Sequence, residues 1–313
     1  SDVVKIEQPA VPACQALDNA FAQLDGQLYF MWRGYDQDII GPPSGQYSGA
    51  IPNMATGTLY TNNGGSRNLF GTDRLSVGWN NCNDEQLRYF QGNNTGSGSN
   101  INHVRAYNST PNYNGPNGTD AHTQGCLVAP GYSRDGGNAP GNKQLGSFGW
   151  STFIFQIGGV LWNPTNGVLG WECGDLSDQT ESIQIFLPPD PDFLGYDYAA
   201  PADNTNKIWR HIAWRQERTA GSITVTFYKD GVEQTPLVAT TNRAGQSLST
   251  VSWWELDDGT RTGDRSFVWA RGGSTQFSYR PWYLLYCYAG PLSLPTASIQ
   301  SIQTAFETQL SLS

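Results

Sequence analysis

Long apolar runs are missing from this chain. No stretch approaches the roughly 18 residues that a membrane-spanning helix needs, so membrane insertion is not expected. Charge is scarce too: only 14% of the 313 residues are charged, and the only lysines are Lys5, Lys143, Lys207 and Lys229. At a net charge of −9 there is no basic cluster to neutralise a nucleic-acid backbone or an anionic membrane, and neither is expected as a partner. The five cysteines (Cys14, Cys82, Cys126, Cys173 and Cys287) include no CxxC pair, which argues against a zinc site and leaves one or two disulfides plus an odd thiol. Cys82 and Cys126 bracket a long polar region and are candidates to staple it. Cys287, inside WYLLYCYAG, reads as an inert buried thiol. The chain begins SDVVKIEQP without Met, as expected of a processed mature form or an ordered fragment.

What is abundant points one way. The 36 glycines, 18 prolines and 12% aromatic residues describe many short strands joined by turns. The stretch IWRHIAWRQERTAGSITVTFYKDGVEQ is the clearest instance. Ile208, Arg210, Ile212 and Trp214 fall on one face of a period-two pattern, with Trp209, His211, Ala213 and Arg215 on the other. In the second run Ile223, Val225 and Phe227 alternate with Thr224, Thr226 and Tyr228. The polar RQERTAGS between them reads as a hairpin loop, and Asp230-Gly231 starts the next turn.

Elsewhere, CQALDNAFAQL at 14–24 places Ala16, Leu17, Ala20, Phe21 and Leu24 on one helical face, ended by Asp25-Gly26. TASIQSIQTAFETQL near the end is a second amphipathic helix, with Ile299, Ile302, Ala305 and Phe306 inward. FGWSTFIFQIGGVLW reads as a strand pair with Gly158-Gly159 at a turn or bulge. The expected organisation is an extended arm and short helix over 1–27, then a single all-β, two-sheet sandwich over 28–313. A loop-rich insertion is expected at about 91–147. That insertion holds three N-x-S/T sequons, at Asn93, Asn108 and Asn117, candidates for glycosylation.

WRHIAW, an alternating strand and FYKDGV together resemble the signature of laminin-G-like and pentraxin-like domains of the concanavalin A-like superfamily. The matching residues are Trp209, His211, Ile212, Ala213, Tyr228, Asp230, Gly231 and Val232. SFVWARGG and RPWYLLYCYAGPLSLPTASIQSIQ extend the resemblance over about 148–306. It implies an antiparallel jelly-roll sandwich and places His211 on a core strand. The closing strand YLLYCY lacks the acidic residue usual there. Such domains often bind Ca²⁺ at loop rims. Here PPDPDFLGYDYAAPADNTN supplies the hard oxygen ligands Asp190, Asp192, Asp197 and Asp203, making Ca²⁺ the expected cofactor.

For chemistry, TVSWWELDD is the segment of interest. Trp253 and Trp254 can stack on sugar C–H faces while Glu255, Asp257 and Asp258 accept sugar hydroxyls. Sandwich-fold glycoside hydrolases carry a third carboxylate on the same strand face, and here Gly259 and Thr260 stand there instead. No GxSxG, HExxH or P-loop occurs. The expectation is a non-catalytic, lectin-like recognition protein, extracellular or on a virion surface, with glycans or a cell-surface receptor as partner. The alternatives are a structural subunit of a virion or extracellular filament, forming a homo-oligomer through residues 1–12, and a sandwich-fold hydrolase or lyase.

Overall fold

A computed structural model of the chain describes residues 15–28, 30–33, 50–51, 61–62, 69–71, 75–82, 85–92, 104–106, 113–114, 121–130, 143–149, 156–174, 178–197, 208–219, 221–251, 266–269 and 282–310. Helix α1 (Gln15–Gln23) comes first and helix α2 (Thr296–Leu310) last. Between them lie β1 (Phe30–Arg33), β2 (Ala50–Ile51), β3 (Thr61–Asn62), β4 (Leu69–Gly71), β5 (Leu75–Cys82) and β6 (Glu85–Gly92). Next come β7 (Val104–Ala106), β8 (Tyr113–Asn114), β9 (His122–Pro130), β10 (Lys143–Gly149), β11 (Gln156–Asn163), β12 (Val168–Gly174) and β13 (Ser182–Phe186). The series closes with β14 (Arg210–Thr219), β15 (Ser222–Lys229), β16 (Val232–Glu233), β17 (Leu237–Ala239), β18 (Ser266–Trp269) and β19 (Trp282–Pro291).

These strands form two large antiparallel sheets. The nine-stranded sheet runs β16-β15-β14-β9-β19-β6-β5, with β1 on β19 and β17 on β15; the eight-stranded sheet runs β13-β12-β11-β10-β18-β7-β4-β2. Strands β3 and β8 pair apart from both. The all-β sandwich with two short helices expected from the sequence is therefore what forms.

Alternation decides what each sheet buries. On β14 and β15, Ile212, Trp214, Ile223, Val225 and Phe227 point between the sheets, against Val160, Trp162, Leu169 and Trp171 of the eight-stranded sheet. The intervening Ala213 and Tyr228 point outward, where α1 and α2 cover them with Leu17, Phe21, Leu24, Ile299, Ile302 and Phe306. Phe21 stacks on Tyr286 at 4.5 Å between centroids, and the Tyr286 hydroxyl donates to Asp18 at 2.8 Å, fixing α1 to β19. At its centre, on β9, β14 and β19, the nine-stranded sheet is thus buried on both faces, while Ala16 and Ala305 of the helices are only partly covered.

Several expectations change. RQERTAGS is not a loop: β14 runs to Thr219 and the turn is two residues, because Gln216 is drawn into the core, where its Oε1 accepts Trp171 Nε1–H at 3.0 Å. Gly158-Gly159 sits within β11 beside a register shift, so it marks a bulge rather than a turn. The 91–147 stretch is more than a loop-rich insertion. It supplies β9, which pairs along its length with β14 and β19 at the middle of the larger sheet. The Cys82–Cys126 staple is corrected as well. Cys126 is a free, buried thiol on β9, and Cys82 lies on β5, three strands away. At strand spacing that is about 14 Å, twice the roughly 7 Å a disulfide can bridge between Cα atoms. Cys287 is a free buried thiol, as expected.

Two glycines separate steric from conformational cost. Gly167 has φ +67 and a β-carbon there would run into the Asp190 carbonyl oxygen, whereas Gly245 has φ +81 with open space around it. Gly245→Ala should cost about 1 kcal/mol from backbone strain alone. Gly167→Ala adds the clash and should cost at least about 3 kcal/mol; urea unfolding of both variants checks the difference.

Candidate functional site

The acidic loop after β13 closes one end of the sandwich. Leu187 and Phe193 drop into the core, and Asp190 and Gly195 donate backbone N–H groups to Asn166 and Pro164 carbonyls in the β11–β12 turn, at 2.9 and 3.0 Å. Two cations from the nine-stranded sheet hold the loop down. Arg210 donates from Nε to the Leu194 carbonyl and from Nη2 to the Asp192 carbonyl, both at 2.8 Å, and from Nη1 to Asp230 at 2.6 Å. Lys229 donates to Asp190 at 2.8 Å. Both cations lie against the Phe193 ring, at 4.9 and 5.2 Å from its centroid.

This arrangement sets the carboxylates. The Lys229 hydrogen bond holds Asp190 below its ordinary range. Burial pushes Asp230 up, and the neighbouring Arg210 only partly offsets it. Asp230 also sits at φ +46, with Gly231 at φ +76, the left-handed pair of a two-residue hairpin turn. Its carboxylate accepts the His211 backbone N–H at 3.0 Å, so one residue makes the turn, pairs Arg210 and ties back to β14.

His211 lies on the outer face of the nine-stranded sheet, fully buried beneath α2. Its Nε2 is 2.9 Å from the Tyr288 hydroxyl, and Gln303 of α2 is its other polar neighbour. Tyr288 belongs to β19 and His211 to β14, with β9 between them. The phenol reaches across only because it passes over Gly125 of β9, its register partner, where a β-carbon would fall inside the ring. Burial forces the imidazole down to about 3, with neighbouring Gln303 pulling weakly the other way. The ring is neutral at physiological pH and shut away from solvent, which is the structural role expected of it. His122, on β9, is also fully buried.

The predicted site residues fall as follows. Asp190 is engaged by Lys229, Asp192 and Asp197 are exposed, and Asp203 lies outside the described residues. Among the described residues no three His, Cys, Asp or Glu side chains converge on a point that could hold a metal. Trp253, Trp254, Glu255, Asp257 and Asp258, the sequons at Asn93, Asn108 and Asn117, and residues 1–12 also lie outside the described residues.

The structure presents instead a constellation that sequence reasoning missed, on the outer face of the eight-stranded sheet. Phe186, at the end of edge strand β13, is 46% exposed and its ring lies over Gly170, its partner on β12. Two residues along the same pair, Gln184 Nε2 donates to the buried Glu172 carboxylate at 3.1 Å. An open aromatic face thus adjoins an amide whose orientation a buried carboxylate fixes. The signal was there in the alternation of LGWECG against SIQIF, which puts Gly170, Glu172, Gln184 and Phe186 on one face once the register is known.

No protein family matches the sequence, and no curated protein matches it. Similar solved structures include the binding domain of Paraclostridial Mosquitocidal Protein 1, at 14% identity over 91% of this chain and 53% of that one, with a TM-score of 0.47. The botulinum neurotoxin serotype D binding domain is 12% identical over 92% of this chain and 53% of that one, TM-score 0.47. The binding domain of botulinum neurotoxin DC, solved in complex with rat synaptotagmin II, is 11% identical over 83% and 52%, TM-score 0.44. The chain spans about half the length of each.

His211 makes acid sensitivity a test of this site. Its folded value lies below the ordinary 6.5, so below that pH the unfolded chain takes up a proton the native state refuses. The contribution is complete above about pH 6.5 and is lost as pH falls towards 3. Between roughly pH 4 and 6 it should add a slope of about 1.4 kcal/mol per pH unit to the unfolding free energy. His211→Gln should remove that component of the slope, as measured by denaturant unfolding across the range.

Proposed function

We propose that this chain is a non-catalytic recognition module of concanavalin A-like, laminin-G-like type, which binds glycans outside the cell or on a virion surface. The observation that carries the reading is Phe186, an open ring seated on Gly170 beside the Gln184–Glu172 pair. Sugars are bound by that combination, a flat apolar platform for C–H faces and an oriented polar group for hydroxyls. Trp253, Trp254, Glu255, Asp257 and Asp258 repeat the same chemistry and are proposed as a second contact. A binding rather than a catalytic role is supported by how the ionisable groups are used. Arg210 and Lys229 are spent on Asp230 and Asp190, and His211 is held neutral and sealed. None of these is poised for proton transfer near neutral pH.

The test is affinity electrophoresis against soluble neutral polysaccharides, backed by a glycan array with and without Ca²⁺. Wild type should be retarded by at least one polysaccharide. Phe186→Ala should weaken that binding about tenfold, the roughly 1.4 kcal/mol expected of one stacking platform, while Phe186→Trp retains it. No retardation by any glycan, or equal retardation of Phe186→Ala and wild type, sinks the reading for this face.

A further inference from the structure

Three cysteines share the core between the sheets: Cys126 on β9, Cys287 on β19 and Cys173 on β12. Two of them face each other. Cys126 and Cys287 are register partners across the antiparallel β9–β19 pair, and both point into the inter-sheet core. Their chain neighbours Leu127, Tyr286 and Tyr288 point the other way, beneath the helices. Opposed residues in an antiparallel pair have Cα atoms about 4.5–5.5 Å apart, inside the roughly 4.4–6.8 Å range of disulfides. Cys173 belongs to the other sheet, about 10 Å off, and cannot substitute for either without moving a strand.

We propose that Cys126 and Cys287 are a cross-strand disulfide pair, oxidised when the chain folds in the presence of a small-molecule disulfide. A thiolate of one cysteine attacks the oxidant and releases one thiol, leaving a mixed disulfide. The second cysteine then attacks the protein sulfur of that mixed disulfide and releases the other thiol. The S–S bond forms, and two electrons and two protons pass to the oxidant, giving two small thiols. The order of events is set by burial. Both residues are fully inaccessible in the finished fold, so exchange has to be complete before β9 and β19 are covered. A molecule that folds reduced stays reduced, and the two forms do not interconvert without unfolding. Oxidation joins the two strands at the middle of the larger sheet, residues far apart in the chain, which constrains the unfolded state strongly.

The experiment refolds the full chain from denaturant twice, once in a mixture of oxidised and reduced glutathione and once with excess reductant. Matching far-UV circular dichroism checks that both samples reach the same fold. Each is unfolded, alkylated without reduction, digested and read by mass spectrometry. The oxidised sample should yield the Cys126 peptide joined to the Cys287 peptide, about 2 Da lighter than their sum, with Cys173 alkylated. The folded, reduced sample should resist oxidised glutathione that the unfolded chain accepts within minutes. The denaturant midpoint of the oxidised form should be higher. If the chain does not refold, it is secreted into an oxidising compartment and mapped in the same way. Alkylated Cys126 and Cys287 in the oxidised sample, or Cys126 joined to Cys14, Cys82 or Cys173, overturns the proposal.

Discussion

A β-carbon on Gly125 would fall inside the phenol of Tyr288, and the outer layer of the nine-stranded sheet is arranged around that missing atom. Tyr288 lies flat across β9 and brings its hydroxyl to His211 two strands away. That hydrogen bond satisfies a polar ring in a place without water, and α2 can then close over it with Ile299, Ile302 and Phe306. With any other residue at position 125, Tyr288 has to lift, His211 loses its partner and α2 loses the surface it packs on. Gly231 repeats the principle under the same helix, where a β-carbon would press on Gln303.

Covering both faces of one sheet has a consequence for where function can lie. The nine-stranded sheet has the opposite sheet on one side and α1 and α2 on the other, so its central strands offer nothing to a partner. The polar groups it buries, among them Gln216 against Trp171, serve cohesion between layers. The loop at 187–197 is drawn into the same task, because Arg210 and Lys229 need anions and carbonyls where the core ends. Among the described residues the far face of the smaller sheet is buried at Leu161 and Glu172 and opens at its edge strand. Phe186 is on that face. Exposed Val232 and Val238, on strands at the margin of the larger sheet, mark its unpaired rim.

The parts legible in the sequence are those whose apolar residues recur at a regular helical or strand period. The helices showed their stripes, and β14 and β15 their alternation, which set Trp214 and His211 on opposite faces. Strand β9 was hidden because HTQGCLVAP is buried on both faces yet begins with His122, Thr123 and Gln124, polar residues that a periodicity argument assigns to solvent. Their burial follows from strand partners far away in the chain, on β14 and β19, and Thr123 also donates its hydroxyl to the Pro291 carbonyl at 2.9 Å. The same distance in sequence hid the pairing of Cys126 with Cys287 and made Cys82 look the nearer choice. The partner of Asp190 was hidden in the same way, because Lys229 arrives from another strand to meet it.

Rigidity connects the core to the proposed binding face. A sugar offers weak individual contacts, so an affinity worth having depends on how little the protein must order itself on binding. Gln184 is ordered in advance: its amide nitrogen is committed to Glu172, and Glu172 is fixed by a strand whose other face is Leu169, Trp171 and Cys173, all buried. Phe186 is likewise limited by Gly170, because the ring occupies the space a side chain there would fill. A substitution that loosens Trp171 or its bond to Gln216 would therefore reach the binding face through β12 without touching a ligand. The polar contact would be the first to blur, since the amide depends on strand position and the aromatic platform depends mainly on its own pocket.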